Sequence, residues 1–238
     1  MLLALALHAP PAHAAPTAAE APYARVLAAC VSAGRVDYAC VRTHRDDLDD
    51  FLETVAAPQP ATPPLGFWID AYNASVLSSL AAEPRLPKEV LHLAGLFGRR
   101  TFRINGAAMT LDAVEARART DGPDARVHFA FNCAARSCPP LRAAPWPDDP
   151  ASTGPALEAA TAAFLATSGV TVDAPSRELR LSKLFDWYRA DFLREAPTVE
   201  AWVLAHLADP LKKRRVETAL RDGYRVTFLP YDWTPNTR

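Results

Sequence analysis

The segment LGFWIDAYNASVLSSLAA, residues 65–82, sets the hardest condition on this chain. Phe67, Trp68, Ala71, Tyr72, Ser75, Val76 and Leu80 recur at the 3.6-residue period of a helix, and the positions between them are nearly as apolar. A helix that is apolar all round has no face to give to water and must be buried. The rest of the chain has to supply its shell. The tract from Pro58 to Pro64 holds four prolines and leads into the helix as a loop.

The shell can be read in order along the chain. A helix is expected over residues 23–32, ended by Gly34, then an extended stretch over 36–38 and a second helix over 43–56. Residues 101–104 alternate, Asn105-Gly106 is the signal of a type I′ turn, and 107–109 return, so a hairpin is expected there. Thr110 can cap a short helix running to about residue 119. Residues 127–132 read as a mostly buried strand, and 145–155 as a loop rich in proline and aspartate. A helix over 156–166 precedes two strands, 170–172 and 178–181. Ser182 caps a helix over 183–193. Helices over 198–208 and 211–221 and a closing strand over 224–229 complete the chain. Helices interleaved with hairpins define an α+β class, with helices packed around a small, mainly antiparallel sheet.

The first residues, MLLALALHAPPAHAA, carry a short apolar run and a small-x-small pattern at Ala12–Ala14. They read as the end of an export leader over residues 1–14, followed by a single domain over 15–238. Periplasmic or secreted localisation is expected, with no membrane span, since no other stretch reaches the roughly 18 apolar residues that one needs. The 26 basic and 27 acidic residues, for a net charge of −1, argue against a nucleic-acid partner. A peptide-like or small-molecule substrate is expected, and no cofactor or metal.

Four cysteines fall into two local pairs. Cys30 and Cys40 are expected to form a disulfide that clips the first helix to the next segment. The second pair lies in VHFAFNCAARSCPPL, residues 127–141, where His128, Asn132, Cys133, Arg136, Ser137 and Cys138 crowd together. Three readings of this stretch stay open. Cys133 and Cys138 form a structural disulfide; or one cysteine is a nucleophile activated by His128; or His128, Cys133 and Cys138 bind zinc with a ligand from elsewhere, which lacks a second ligand pair. A nucleophile needs a group that lowers the thiol pKa, and Arg136 and His128 are candidates. An extended strand would hold His128 and Cys133 about 16 Å apart, unless the chain bends between them.

At this motif the sequence resembles the family called domain of unknown function 547. Phe67, Trp68, Tyr72 and Asn73 match its aromatic helix, with Asp70 where the family has Asn. Leu111, Val114 and Glu115 match a short helix, with Ala116 where the family has His. His128, Phe129, Ala130, Asn132, Cys133, Ser137, Cys138 and Pro139 match its signature. Residues 181–192 and Tyr231, Asp232 and Trp233 match later motifs. By analogy the resemblance implies a cysteine hydrolase or acyl-transfer enzyme of papain or transglutaminase style, acting on amide or peptide substrates. The assignment is Cys133 as nucleophile, His128 as base and Glu115 orienting the imidazole. Asn73, Asn132 and Arg136 are the substrate-binding groups. Ala116 bears on activity if the missing histidine is the base in relatives. The alternative is a non-catalytic binding or scaffold domain with a disulfide-braced loop. Asp186, Trp187, Tyr188 and Asp191 read as a packing and capping cluster outside the site.

Overall fold

The computed structural model describes residues 17–59, 62–121 and 124–238; the segment read as a leader lies outside them. The 65–82 run is helix α4 (Leu65–Ala82), buried along nearly its whole length. Around it pack α2 (Tyr38–Thr43), α3 (Arg45–Ala56) and α5 (Leu111–Asp121). Helix α1 (Ala21–Cys30) lies on α3, where Tyr23 stacks on Phe51 with ring centroids 4.5 Å apart. The start of α4 is close against the loop before α6 (Pro150–Phe164). A Cβ on Gly66 would lie 2.4 Å from the carbonyl oxygen of Pro147, so only glycine allows this approach.

Strands β1 (Val31–Ser32) and β2 (Arg35–Val36) form a short antiparallel pair. The extended reading at 36–38 gives way at Asp37, whose carboxylate accepts from the Cys40 N–H at 3.0 Å and starts α2. The hairpin is β3 (Phe102–Ile104) with β4 (Ala107–Met109), turning at Asn105 and Gly106, both at positive φ. The N–H groups of Asn105 and Gly106 donate to the carbonyls of Val55 and Ala56, which satisfies the end of α3. Thr110 caps α5 through Ala113 N.

The second half builds another core. Strands β5 (Val170–Asp173) and β6 (Glu178–Leu181) are antiparallel, as read. The closing strand β7 (Arg225–Phe228) pairs with β6 in parallel, however. A parallel neighbour needs a long crossover, and α7 (Leu184–Trp187), α8 (Arg189–Glu195), α9 (Val199–His206) and α10 (Pro210–Arg221) supply it. The architecture is α+β, with three small sheets among the described residues.

The strand expected over 127–132 does not form. Residues Ala125–Phe129 make a 3₁₀ turn. Among the described residues no strand pairs with this run; the Asn73 side chain takes two of its backbone groups instead, donating to Ala130 O at 3.0 Å and accepting from Asn132 N at 2.8 Å. The run is apolar because it is buried on every side, and it joins two apolar clusters. Val127 and Phe131 belong to the cluster around α4. Phe129 belongs to the second, with Phe164, Phe185, Phe192 and Trp202.

Candidate functional site

A cavity of about 300 Å³ opens along the seam between the two clusters. Tyr72 and Phe131 line it from the first cluster, and Leu184 and Tyr188 from the second. Phe97, Trp187, Tyr231 and Trp233 form an aromatic rim, and Asp112, Glu115 and His128 bring titratable groups. Trp187, Tyr231 and Trp233 pack on one another, with centroids 4.6–6.0 Å apart.

One wall is the cysteine loop. Cys133 and Cys138 form a disulfide, as do Cys30 and Cys40, and no described cysteine is free. The expected Cys30–Cys40 clip is therefore present. The nucleophile expected at Cys133 has no thiol in this state, because its sulfur is bonded to Cys138. Tyr231 supplies the polar neighbour of both sulfurs. Its hydroxyl lies 3.3 Å from Cys133 Sγ and 3.1 Å from Cys138 Sγ. Burial first, and Glu115 second, hold the Tyr231 phenol above its ordinary pKa, so it keeps its proton and donates. The Cys133 N–H also donates to Cys138 Sγ at 3.0 Å.

His128 reaches the cavity wall, but its partner is Asp191 rather than Glu115. Asp191 Oδ2 lies 2.8 Å from Nε2. A carboxylate acceptor fixes the proton on Nε2 and leaves Nδ1 as a lone pair, and Nδ1 is buried without a partner among the described residues. Tyr188 stacks on the imidazole at 3.8 Å. Burial lowers the His128 pKa to about 4, and the Asp191 hydrogen bond does not reverse this. Asp191 is itself balanced by Arg119 at 2.6 Å and Arg194 at 2.7 Å. Burial pushes the Asp191 carboxyl up, but His128 and Arg119 together bring it below the usual range.

Glu115 faces Tyr188, whose hydroxyl is its hydrogen-bond partner. Its pKa is raised, mainly by burial, with Asp112 adding to the rise. The triad order expected from the sequence is thus replaced by two separate pairs, His128–Asp191 and Glu115–Tyr188.

Asn73 and Asn132 tie loops together and do not line the cavity. Asn132 Nδ2 donates to Pro139 O at 2.7 Å. Its Oδ1 accepts from Ala134 N and from Asn236 Nδ2, each at 3.0 Å. Asn236 Oδ1 in turn accepts from Tyr38 at 2.7 Å. Arg136 is exposed and lines a smaller pocket with Asn132 and Asn236, not the aromatic cavity. None of these three expected substrate-binding groups borders the aromatic cavity: Asn73 and Asn132 hold the loop, and Arg136 lies on its outer face.

Trp187, Tyr188 and Asp191, read as packing, turn out to build the site, while Asp186 pairs with Lys183 at 2.7 Å. Tyr231 and Trp233 stand on a segment that straps the cysteine loop. Arg136 N and Ser137 N donate to Thr234 O and Asp232 O, and Val90 N donates to Trp233 O. The signal for these two was the Tyr-Asp-Trp match.

The molecule is thus an α+β domain with a disulfide-closed loop forming part of an aromatic cavity. Residues 62–165 match the model of a family described as protein of unknown function, DUF547. The match takes in Glu115, His128 and both sulfurs of the loop. It stops before Tyr188, Asp191, Tyr231 and Trp233, although the motifs extend to them. No curated protein and no solved structure matches the chain.

Proposed function

We propose that this chain is an exported ligand-binding domain whose aromatic cavity takes a small organic cation. The observation that carries this reading is the lining itself: Asp112 and Glu115 stand among aromatic rings, and none of the described lining residues is Lys or Arg. Ring faces attract cations, most strongly those of tryptophan, and quaternary ammonium groups are held this way. A buried carboxylate with a raised pKa gains its charge most readily when a cation arrives. The cavity is at the small end of ligand sites. Two disulfides are compatible with an oxidising compartment, and among the described residues no helix is long and apolar enough to cross a membrane.

The test is calorimetric titration with benzyltrimethylammonium, with a neutral tert-butylbenzene analogue as control. Saturable binding of the cation, weakened at least tenfold by Glu115→Gln and by Trp187→Ala, is expected. Equal binding of the cation and its neutral analogue would refute the reading.

A second reading, the thiol hydrolase or acyl-transfer enzyme on amide or peptide substrates, is favoured by the unpartnered His128 Nδ1 beside the same cavity. It requires Cys133 as a thiolate and therefore a reduced loop. Peptide-library hydrolysis by reduced protein, abolished in Cys133→Ala, would support it. Equal activity in that variant, or none in either protein, would exclude it.

A further inference from the structure

We propose that Cys133–Cys138 is an exchange-active disulfide, attacked from the cavity by a small thiol at Cys133 Sγ. The two sulfurs are not equivalent. Both cysteines border the cavity, but Cys133 is half-buried there whereas Cys138 is buried. Cys138 Sγ alone accepts from the Cys133 N–H, at 3.0 Å, and the Tyr231 hydroxyl lies nearer to it, at 3.1 Å, than to Cys133 Sγ, at 3.3 Å. These donors strengthen as charge develops on that sulfur. Cys138 is therefore the better leaving group and Cys133 the electrophile.

The step balances without a further oxidant. A thiolate attacks Cys133 Sγ, the Cys133–Cys138 bond breaks, and the electron pair leaves on Cys138. A second thiolate attacks the substrate sulfur of the mixed disulfide and releases Cys133. Two thiols become one disulfide, the protein disulfide becomes two thiols, and the two substrate protons pass to Cys133 and Cys138. Each protein molecule oxidises one pair of thiols.

Cys30–Cys40 is an internal control. Cys30 is fully buried, and neither of its sulfurs belongs to the cavity lining. The inference is separate from the cation reading, although it uses the same cavity.

The test incubates the folded full chain with benzyl mercaptan, cysteamine or glutathione. Samples are quenched with acid at intervals, and every cysteine is mapped by mass. Loss of Cys133–Cys138 at least tenfold faster than Cys30–Cys40, with the early adduct on Cys133, is expected. In Tyr231→Phe the exchange slows about fivefold while the Cys30–Cys40 rate is unchanged. Equal rates for the two disulfides, an adduct on Cys138, or an unchanged rate in Tyr231→Phe would each overturn the proposal. Cysteamine reacting no faster than the anionic glutathione counts against the cation reading alone, because site selectivity is read independently of it.

Discussion

His128 is held neutral in the folded protein, and this must show in the pH dependence of stability. Its pKa falls from the usual 6.5 to about 4. Above pH 6.5 neither the folded nor the unfolded chain protonates it, and the contribution to stability is complete. As pH falls below 6.5 the unfolded chain takes up the proton and the folded chain does not, so stability is lost until pH 4, where both carry it. At 1.36 kcal/mol per unit, the loss over this window is about 3 kcal/mol. Asp148, raised to about 6 mainly by burial, has the opposite slope: its contribution improves as pH falls. The raw curve of the native protein therefore mixes the two. His128→Gln removes one of them, since glutamine is neutral throughout and can still donate to Asp191. Urea unfolding of both proteins at half-unit steps from pH 7 to 4 gives the difference. The native protein should lose about 3 kcal/mol relative to the variant. Parallel curves would refute the reasoning, and so would an NMR titration of the His128 ring with its midpoint near 6.5.

Asn132→Ala strands the Ala134 N–H, the Pro139 carbonyl and the Asn236 amide. A loss of about 4 kcal/mol is expected in urea unfolding. At Gly34, φ is +75° and a Cβ would lie 2.4 Å from Pro140 Cβ. Gly34→Ala should therefore cost about 3 kcal/mol, seen as a lowered melting temperature. Cys30→Ser with Cys40→Ser should cost about 3 kcal/mol in the same assay while leaving cation affinity unchanged. Benzyltrimethylammonium affinity should rise with pH from the ordinary glutamate range upward, because Glu115 starts with a raised pKa and binding draws off its proton; Glu115→Gln should flatten that dependence.

Periodicity made most of the shell legible. Helix α4 was expected over its observed bounds, and the Asn105-Gly106 hairpin came from two residues that tolerate positive φ. The 127–132 run was misread because a short apolar segment looks the same whether it pairs in a sheet or lies buried between two clusters. What decides is where its backbone hydrogen bonds go, and two of them go to Asn73, more than fifty residues earlier. The parallel register of β7 was missed for the same reason: nothing local in the strand names its neighbour. At the site, Cys133, His128 and Glu115 were found as residues bordering one cavity, but their partners were not. His128 took Asp191, sixty-three positions away, and both sulfurs took Tyr231. Long-range pairing of this kind leaves no spacing in the sequence to read.

The cavity's position on the seam has a mechanical consequence. Tyr231 packs against both clusters, and the walls on either side belong to different cores. A molecule filling that space acts as a keystone: each core leans on it, and neither can loosen without releasing it. Occupancy should therefore draw the unfolding of the two halves into one sharper transition, with the gain in cooperativity set by how tightly the occupant is held.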